Sequence, residues 1–405
     1  MMAEIADSEA CFVIIGAGQA GAWVARTLRQ EGFKGRIVLI GDENQPPYER
    51  PPLSKAFLQG MADINAMTLL DPSLACELSI DVWTGVRVTA INRPTREVIC
   101  ADGQHLRYDR LFLTTGARPR PWPGLERAAS SNPASPRIHA LRTQQDALHL
   151  RTALIPDQHL LIIGGGWIGL EVAATARAMS CRVTILEAAP RLCQRSMPAI
   201  IGEYLATLHK SHGVALETGV GIKAITEAHD HVLVTLDTGE ILRADHALIC
   251  IGILPNMELA QACGLAVDNG IIVDAQGRTN DPAIFAAGDV SNHPSEILCR
   301  NIRLESWANA QNQAIIAAKA ALGAPDLYDE VPWLWSDQYG INLQTIGFPQ
   351  EGVRHETNGM PASGQGSWLF LRDDESLAGA VCLNAPRDLR LLKKRMQSER
   401  LARRG

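Results

Sequence analysis

The sequence lacks the features that mark several classes of protein. Its nine cysteines include no C-x-x-C or C-x₄-C spacing, so neither a redox-active dithiol nor an iron–sulfur cluster site is predicted. No apolar run approaches the roughly 20 residues that a helix needs to cross a bilayer. Met1–Ala10 is acidic and lacks the basic-then-apolar order of a signal peptide, so we expect a cytoplasmic protein.

Charge and composition exclude further classes. The net charge of −6 gives no basic surplus for nucleic acid, so no nucleic-acid partner is expected. No membrane association and no metal site are expected either. The odd number and wide scatter of the cysteines argue against a secreted disulfide framework. With 46% hydrophobic and 20% charged residues, the 405-residue chain has the composition of a globular α/β protein with two or three domains.

Two segments share one pattern, an apolar run that ends in G-x-G-x-x-G and opens an alanine-rich stretch. The first reads CFVIIGAGQAG over Cys11–Gly21, and the second reads LLIIGGGWIG over Leu160–Gly169. Such an apolar run is typical of a buried parallel strand, and the stretch after it is typical of a helix. The repeat therefore predicts two dinucleotide-binding units of the Rossmann type.

Each unit has the residue types that a bound dinucleotide requires. The first glycine permits a tight turn, the second lets the pyrophosphate approach the backbone, and the third lets helix and strand pack closely. The predicted glycines are Gly16, Gly18 and Gly21 in the first unit and Gly164, Gly166 and Gly169 in the second.

An acid follows the second apolar run of each unit. Asp42 and Glu187 fall 21 and 18 residues after the last glycine of their motifs, near the spacing of a ribose-binding carboxylate. A carboxylate here accepts hydrogen bonds from the ribose diol and repels a 2′-phosphate, so Glu187 favours NAD over NADP. The nearby Arg191 is interpreted as a solvated loop residue rather than as a phosphate ligand.

The remaining pattern predicts two hairpins, several buried strands and further helices. The predicted hairpins are Arg96–Cys100 with His105–Tyr108 and Val232–Leu236 with Ile241–Leu242. The predicted strands are Arg36–Ile40, Leu111–Thr115, Arg182–Leu186, Ala247–Ile251 and Ile284–Ala287. The predicted helices are Gln19–Gln30, Trp167–Met179 and Ser306–Leu322. The segment Ala117–Arg137 is predicted to be a crossover or linker.

Longer segments give the chain a resemblance to a known family. PYERPPLSK (Pro47–Lys55), IIGGGWIGLEVAA (Ile162–Ala174), IFAAGDV (Ile284–Val290), LESWANAQNQA (Leu304–Ala314) and WLWSDQY (Trp333–Tyr339) carry it. The sequence resembles the FAD-dependent ferredoxin reductases of aromatic-ring dioxygenase and bacterial cytochrome monooxygenase systems. PPLSK and WSDQ are far more specific than the glycine motifs.

The resemblance implies a fold of two nested Rossmann-like domains, as in glutathione reductase, followed by a C-terminal α+β domain. The nesting makes residues 1–120 and 250–325 a discontinuous FAD-binding domain, because its sheet resumes after the second unit. Residues 121–249 would then form the NAD-binding domain and residues 326–405 the C-terminal domain.

The resemblance also implies roles for single residues. Around FAD it places Asp42 at the adenosine ribose, Val88 at the adenine end, Lys55 and Arg142 near the flavin, Asp289 at the ribityl chain beside a helix N-terminus, and Ile302 against the ring system. It pairs Glu171 with Lys55 at the nicotinamide pocket and places Trp335 on the flavin's other face, near the docked acceptor.

Each of these residues also has a structural interpretation. Lys55 could be a surface lysine after a turn, and Asp289 could be only a helix N-cap. Glu171 could be an acid favoured by the dipole in the first turn of a helix. Trp333 and Trp335 face the same way on a strand, so one or both could be core. The motif context favours the functional interpretation of each.

The activity that the resemblance implies is hydride transfer from NADH to FAD, followed by single-electron transfer to a small [2Fe–2S] ferredoxin. The resemblance somewhat favours a Rieske-type ferredoxin over a plant-type one. Because Pro51–Lys55 contains no cysteine, enzymes like glutathione reductase and NADH peroxidases are excluded. Rubredoxin reductase, a peroxide-forming NADH oxidase, a nitrite-reductase flavoprotein and an NADH-responsive sensor resembling apoptosis-inducing factor stay open, as does the choice between monomer and homodimer.

The end of the chain is strongly basic. A solvated terminus explains this, and so does electrostatic steering of an acidic ferredoxin. The basic residues are Arg390, Lys393, Lys394, Arg395, Arg400, Arg403 and Arg404.

Overall fold

The computed structural model describes residues 8–123 and 137–404, without the side chains of residues 401, 403 and 404. The predicted crossover Ala117–Arg137 therefore lies largely outside the described residues, and the side chains of Arg403 and Arg404 lie wholly outside them. Within the described part of the chain, every helix is too short or too polar to span a bilayer.

Eight α-helices are present in the described residues. They are α1 (Gln19–Gln30), α2 (Pro72–Glu77), α3 (Gln144–Ala153), α4 (Trp167–Ala178), α5 (Ala199–Ser211), α6 (Glu258–Ala262), α7 (Trp307–Ala321) and α8 (Pro386–Arg404).

Strands of two to seven residues make up the sheets. In the first part of the chain they are β1 (Cys11–Ile15), β2 (Arg36–Ile40), β3 (Ile80–Trp83), β4 (Val88–Asn92), β5 (Glu97–Cys100), β6 (His105–Arg107), β7 (Arg110–Leu113), β8 (Ala117–Pro119), β9 (Ile138–His139), β10 (His159–Ile163), β11 (Arg182–Glu187), β12 (Ala215–Thr218) and β13 (Ile222–Glu227). In the second part they are β14 (Val232–Leu236), β15 (Ile241–Ala244), β16 (His246–Ile249), β17 (Ile253–Pro255), β18 (Ile271–Ile272), β19 (Ile284–Ala286), β20 (Ser291–Ser295), β21 (Arg300–Ile302), β22 (Trp333–Gln338), β23 (Ile341–Gly347), β24 (Arg354–Met360), β25 (Gln365–Leu371) and β26 (Leu377–Leu383).

The described chain divides into two compact units. The first unit comprises Met1–Glu49, Ile64–Arg118 and Leu254–Pro332, and the second comprises Arg50–Asp63, Pro119–Ile253 and Trp333–Gly405. The three domain ranges expected from the sequence stay a prediction.

The first unit is built on a five-stranded parallel sheet of order β19-β7-β1-β2-β3. Its central strands are apolar at almost every position because both faces are buried. The rings of Phe12, Phe112 and Phe285 pack in one core between this sheet and helices α1 and α7. The antiparallel sheet β4-β5-β6 and the small sheet β18-β20-β21 complete the unit.

The second unit repeats this plan. Its five-stranded parallel sheet has the order β12-β11-β10-β16-β9, and β13-β14-β15 form the matching antiparallel sheet. An antiparallel sheet of order β22-β23-β26-β25-β24 follows in the chain, and α8 packs on it through Leu392 and Met396. Trp368, Phe370 and Val381 of this sheet share a core with α4 and α5.

Candidate functional site

The two glycine turns have matching geometry. The backbone N–H of Gly16 donates to Ile40 O at 2.8 Å, and that of Gly164 donates to Leu186 O at 2.8 Å. Both first glycines have positive φ, +112° and +105°, and a Cβ on either would overlap the backbone carbonyl of the residue that follows the neighbouring strand, Thr114 after β7 and Cys250 after β16. Only glycine satisfies both conditions.

The second glycine of each motif faces open space. Gly18 and Gly166 are the N-caps of α1 and α4, where glycine offers no side chain to bond the first backbone N–H groups. A Cβ on either would meet nothing within 4 Å. The third glycines differ, because a Cβ on Gly21 or Gly169 would overlap the carbonyl oxygen of the first glycine. Each turn therefore presents an open helix N-terminus suited to a pyrophosphate.

Buried polar atoms beside each turn lack partners. The indole Nε1 of Trp167, the first residue of α4, is buried with no hydrogen-bond partner in residues 8–123 and 137–404. In the first unit the amide Oε1 of Gln313 accepts from Gly288 N at 2.8 Å and Ser291 Oγ at 2.6 Å, while its Nε2 is buried without a described partner. Such atoms suit polar ligands, so the residues at both turns fit a dinucleotide.

The structure places the other residues expected around FAD on separate elements. In the first unit Asp42 follows β2 and is exposed, and its Oδ2 lies 3.6 Å from Nη2 of Arg87. Val88 begins β4, Asp289 follows β19, and Ile302 ends β21. Asp289 does not cap a helix, because it precedes strand β20, so the N-cap interpretation is wrong. The expected helix N-terminus beside Asp289 stays a prediction, and the preceding residue, Gly288, lies against Ala20 in the first turn of α1. Arg142 belongs to the second unit, where it precedes α3 and its backbone N–H donates to Asp146.

Lys55 and Glu171 form a buried ion pair within the second unit. Their Nζ and Oε2 atoms lie 2.9 Å apart, and the side chains are 19% and 5% exposed. The 3₁₀ turn Pro51–Ser54 brings Lys55 there, and Ser54 Oγ donates to the same carboxylate oxygen at 2.5 Å. Lys55 is therefore not a surface lysine. Glu171 is the fifth residue of α4, beyond the first turn, so a dipole preference does not explain it.

A line of hydrogen bonds continues from the other oxygen of Glu171. Ser336 Oγ donates to Glu171 Oε1 at 2.7 Å, and Gln338 Nε2 donates to Ser336 Oγ at 2.9 Å. Gln338 Oε1 lies 2.8 Å from Nε2 of His209, whose Nδ1 lies 3.1 Å from the hydroxyl of Tyr339. Ser336, Gln338 and His209 are all buried.

Burial lowers the pKa of His209 to about 4, so this ring is neutral at physiological pH. An unfolded histidine has a pKa near 6.5, so the stability that neutral His209 contributes is present above pH 6.5 and is lost as the pH falls toward 4. The loss is about 1.4 kcal/mol per pH unit.

We expect urea denaturation of His209→Gln between pH 6.5 and 4.5 to show a shallower fall in unfolding free energy than the wild type. The control is exposed His105→Gln, and equal slopes in all three proteins would contradict the prediction.

Glu187 lies at the second glycine turn. Its Oε2 accepts from Gly165 N at 2.6 Å and its Oε1 from Ala189 N at 2.7 Å. The nearby Arg191 donates to the carbonyl of Met197 at 2.8 Å, so its guanidinium is held by the backbone of its own loop. A carboxylate that is held by two backbone N–H groups at a dinucleotide turn is suited to a ribose diol.

Trp333 and Trp335 share one face of β22. Their rings stack with centroids 5.0 Å apart, and both side chains are partly exposed. Trp333 Nε1 donates to Gln344 Oε1 at 3.0 Å. Neither residue is fully buried, so this pair is not core.

Comparisons with known proteins agree with this geometry. The family model described as pyridine nucleotide-disulphide oxidoreductase matches residues 11–314, and that described as reductase C-terminal matches residues 333–404. The chain belongs to the pyridine nucleotide-disulphide oxidoreductase family. This membership confirms the predicted fold class and the resemblance found in the sequence.

The chain is similar to characterised reductases over nearly its whole length. It is 42% identical over 379 residues to the anthranilate 1,2-dioxygenase system ferredoxin–NAD(+) reductase component of Burkholderia cepacia, covering 93% of this chain and 92% of the relative. It is 40% identical to putidaredoxin reductase of Pseudomonas putida over 90% of this chain and 87% of the relative. The solved covalent putidaredoxin reductase–putidaredoxin complex matches with a TM-score of 0.91 at 37% identity, over 96% of this chain and 93% of that one.

Several site residues carried no role in the sequence analysis. Ser54, Ser336 and Gln338 lie inside the PPLSK and WSDQ segments, and their positions there could have indicated them. Trp167 and Gln313 likewise lie within quoted segments, whereas His209 has no local signal.

Proposed function

We propose that this protein is an NADH:ferredoxin oxidoreductase. The first glycine turn holds FAD, the second holds NAD(H), and the electrons pass to a small [2Fe–2S] ferredoxin. The observation that carries the proposal is the duplicated open glycine turn, one copy with Glu187 beside it, in a chain similar end to end to ferredoxin–NAD(+) reductase components.

The residues of the chain bind the two cofactors, orient them and exclude competing reactions. FAD, when bound, supplies the conversion of the hydride of NADH into the single electrons that an iron–sulfur protein accepts. The N-termini of α1 and α4 stabilise the pyrophosphates. Lys55 supplies a positive charge, and the buried carboxylate of Glu171 holds that charge in place. Asp42, Val88, Arg142, Asp289 and Ile302 are proposed FAD contacts, and Trp335 is proposed to lie where the acceptor approaches.

The acceptor is proposed to be a Rieske-type ferredoxin that feeds an aromatic-ring-hydroxylating dioxygenase, in line with the dioxygenase-system relative. The similarity to putidaredoxin reductase favours a second candidate, the ferredoxin of a cytochrome monooxygenase. The protein is proposed to act as a monomer or a homodimer.

The test is an anaerobic titration of the purified flavoprotein with NADH and then NADPH, followed by addition of each ferredoxin type. Rapid bleaching by NADH and onward reduction of a [2Fe–2S] ferredoxin supports the proposal, and the faster acceptor decides between the two candidates. Slow reoxidation together with NADH-dependent dimerisation would favour a redox sensor, and absence of bound flavin would overturn the assignment of the first turn.

Glu187 should decide the choice of nicotinamide. We expect Glu187→Gln to reduce the preference for NADH over NADPH by at least about tenfold, because the 2′-phosphate no longer meets a negative charge. The measurement is kcat/KM for both nucleotides with one ferredoxin. Glu217→Gln, on the neighbouring strand and exposed, is the matched control. An unchanged ratio in Glu187→Gln would remove this carboxylate from nucleotide selection.

A further inference from the structure

The line of hydrogen bonds that ends on Glu171 has a single possible direction. A carboxylate only accepts, so the Ser336 hydroxyl donates its proton to Glu171 Oε1 and its oxygen accepts from Gln338 Nε2. This leaves Gln338 Oε1 as an acceptor, which requires that His209 carry its proton on Nε2. The unprotonated Nδ1 of His209 then accepts from the Tyr339 hydroxyl.

His209 carries a single proton at physiological pH, because burial lowers its pKa to about 4. Since that proton lies on Nε2, Nδ1 is left to accept from the Tyr339 hydroxyl. Every member from Tyr339 to Ser336 thus donates toward the carboxylate. Aligned hydrogen bonds polarise one another in a buried environment, which strengthens the last bond of the line.

The backbone around the line is arranged to present these side chains. Ser336 and Gln338 alternate along β22, so both project from one face, opposite to Trp333 and Trp335. The turn after the strand places Tyr339 at φ +53°, a conformation that a bulky residue rarely adopts. Stacking of its ring on His212 at 3.8 Å and the bond to His209 hold it there. Gly340 also has a positive φ, +75°, and the two residues join β22 to β23 as a two-residue hairpin turn, which requires this conformation at both positions.

The two oxygens of Glu171 have separate tasks. Oε2 accepts from Ser54 Oγ and lies 2.9 Å from Lys55 Nζ, whereas Oε1 accepts from Ser336. With a donor on each oxygen the plane of the carboxylate is fixed. Without the donor on Oε1 the carboxylate can turn toward another rotamer, and the ammonium of Lys55 moves with it.

We propose that Ser336, Gln338 and His209 are positioning residues for the reaction, which orient the Glu171 carboxylate and, through it, the Lys55 ammonium for hydride transfer from NADH. The inference rests on the proposed function, since it assigns these residues to its hydride-transfer step. None of the three needs to touch substrate or cofactor.

Stopped-flow reduction of the holoprotein by NADH tests the role. Ser336→Ala should slow hydride transfer at saturating NADH by at least about tenfold, the effect of one hydrogen bond to a charged group, and Ser336→Thr should restore most of the rate. Ser367→Ala is the matched control, because Ser367 is equally buried in the same sheet and also donates to a carboxylate, that of Asp388 at 3.1 Å. Equal rates in Ser336→Ala and Ser367→Ala would overturn the proposal.

Ring ¹⁵N signals of His209 give a readout that needs no turnover. In histidine-labelled holoprotein without NADH we expect Nε2 to be protonated and Nδ1 to be unprotonated, and Gln338→Met, which keeps the shape of the side chain, should shift the Nε2 signal and slow hydride transfer. A proton on Nδ1 would overturn the direction of the line, as would a Gln338→Met signal identical to the wild type. If the wild type shows the expected ring signals but is not reduced by NADH, the proposed function has failed and the geometry has not.

Discussion

Lys55→Met should slow the reduction of the flavin by NADH by about a hundredfold or more. The reason is electrostatic: the ammonium is a preorganised cation in a largely buried site, where a charge acts through a low dielectric. The same change should destabilise the protein by roughly 3–5 kcal/mol, because it leaves Glu171 as a buried carboxylate without its cation. Anaerobic stopped-flow and urea denaturation measure the two effects separately.

A double variant separates the catalytic loss from the structural one. Lys55→Met combined with Glu171→Gln removes both charges, so the unfolding free energy should recover most of what the single variant lost. The rate of flavin reduction should stay low, since the cation is still missing. Recovery of the rate together with the stability would mean that Lys55 serves only to neutralise Glu171.

The duplicated units could be predicted from sequence because their signals are local. Helices α1 and α4 begin at Gln19 and Trp167 as predicted, and β2 covers Arg36–Ile40. Both predicted hairpins form, β5 with β6 and β14 with β15. Each depends on a buried apolar run and a turn residue that stand next to each other in the chain. The interactions that form these elements are between residues close together in the chain, so the sequence alone is enough to predict them.

Elements with mixed exposure were not predicted. Strands β4 (Val88–Asn92) and β13 (Ile222–Glu227) add a third strand to each hairpin, yet neither alternates cleanly between buried and exposed residues. Their place is set by register with a partner strand, and both registers contain an irregularity. The return of the chain to the first sheet, through β19 at Ile284–Ala286, was expected from the family resemblance and not from the local pattern, because it is a pairing between strands far apart in sequence.

The same limit explains which site residues could be predicted. The quoted motifs pointed to Lys55 and Glu171, and the structure brings them together. The line that extends from Glu171 through Ser336 and Gln338 to His209 crosses 129 residues of sequence in its last step. A buried histidine on an amphipathic helix gives no sign of its partner, because the partner is chosen by packing.

Gly166→Ala should weaken NADH binding by about a hundredfold, a loss of about 2.7 kcal/mol, in a protein that still folds. A Cβ at Gly166 meets nothing within 4 Å of the protein, so the added methyl costs no packing. It occupies the space in front of the α4 N-terminus that the pyrophosphate needs. Calorimetric titration with NADH gives the affinity, and thermal unfolding gives the stability.

Gly164→Ala provides the contrast within the same turn. Here φ is +105° and the added Cβ would overlap the carbonyl of Cys250, so we expect a lower melting temperature or failure to fold, whatever the nucleotide concentration. The two variants, two residues apart in one turn, thus separate a glycine required by the fold from one required by the ligand. Wild-type NADH affinity in a folded Gly166→Ala protein would mean that the nucleotide does not approach this helix, and the assignment of the second turn to NAD(H) would have to be abandoned.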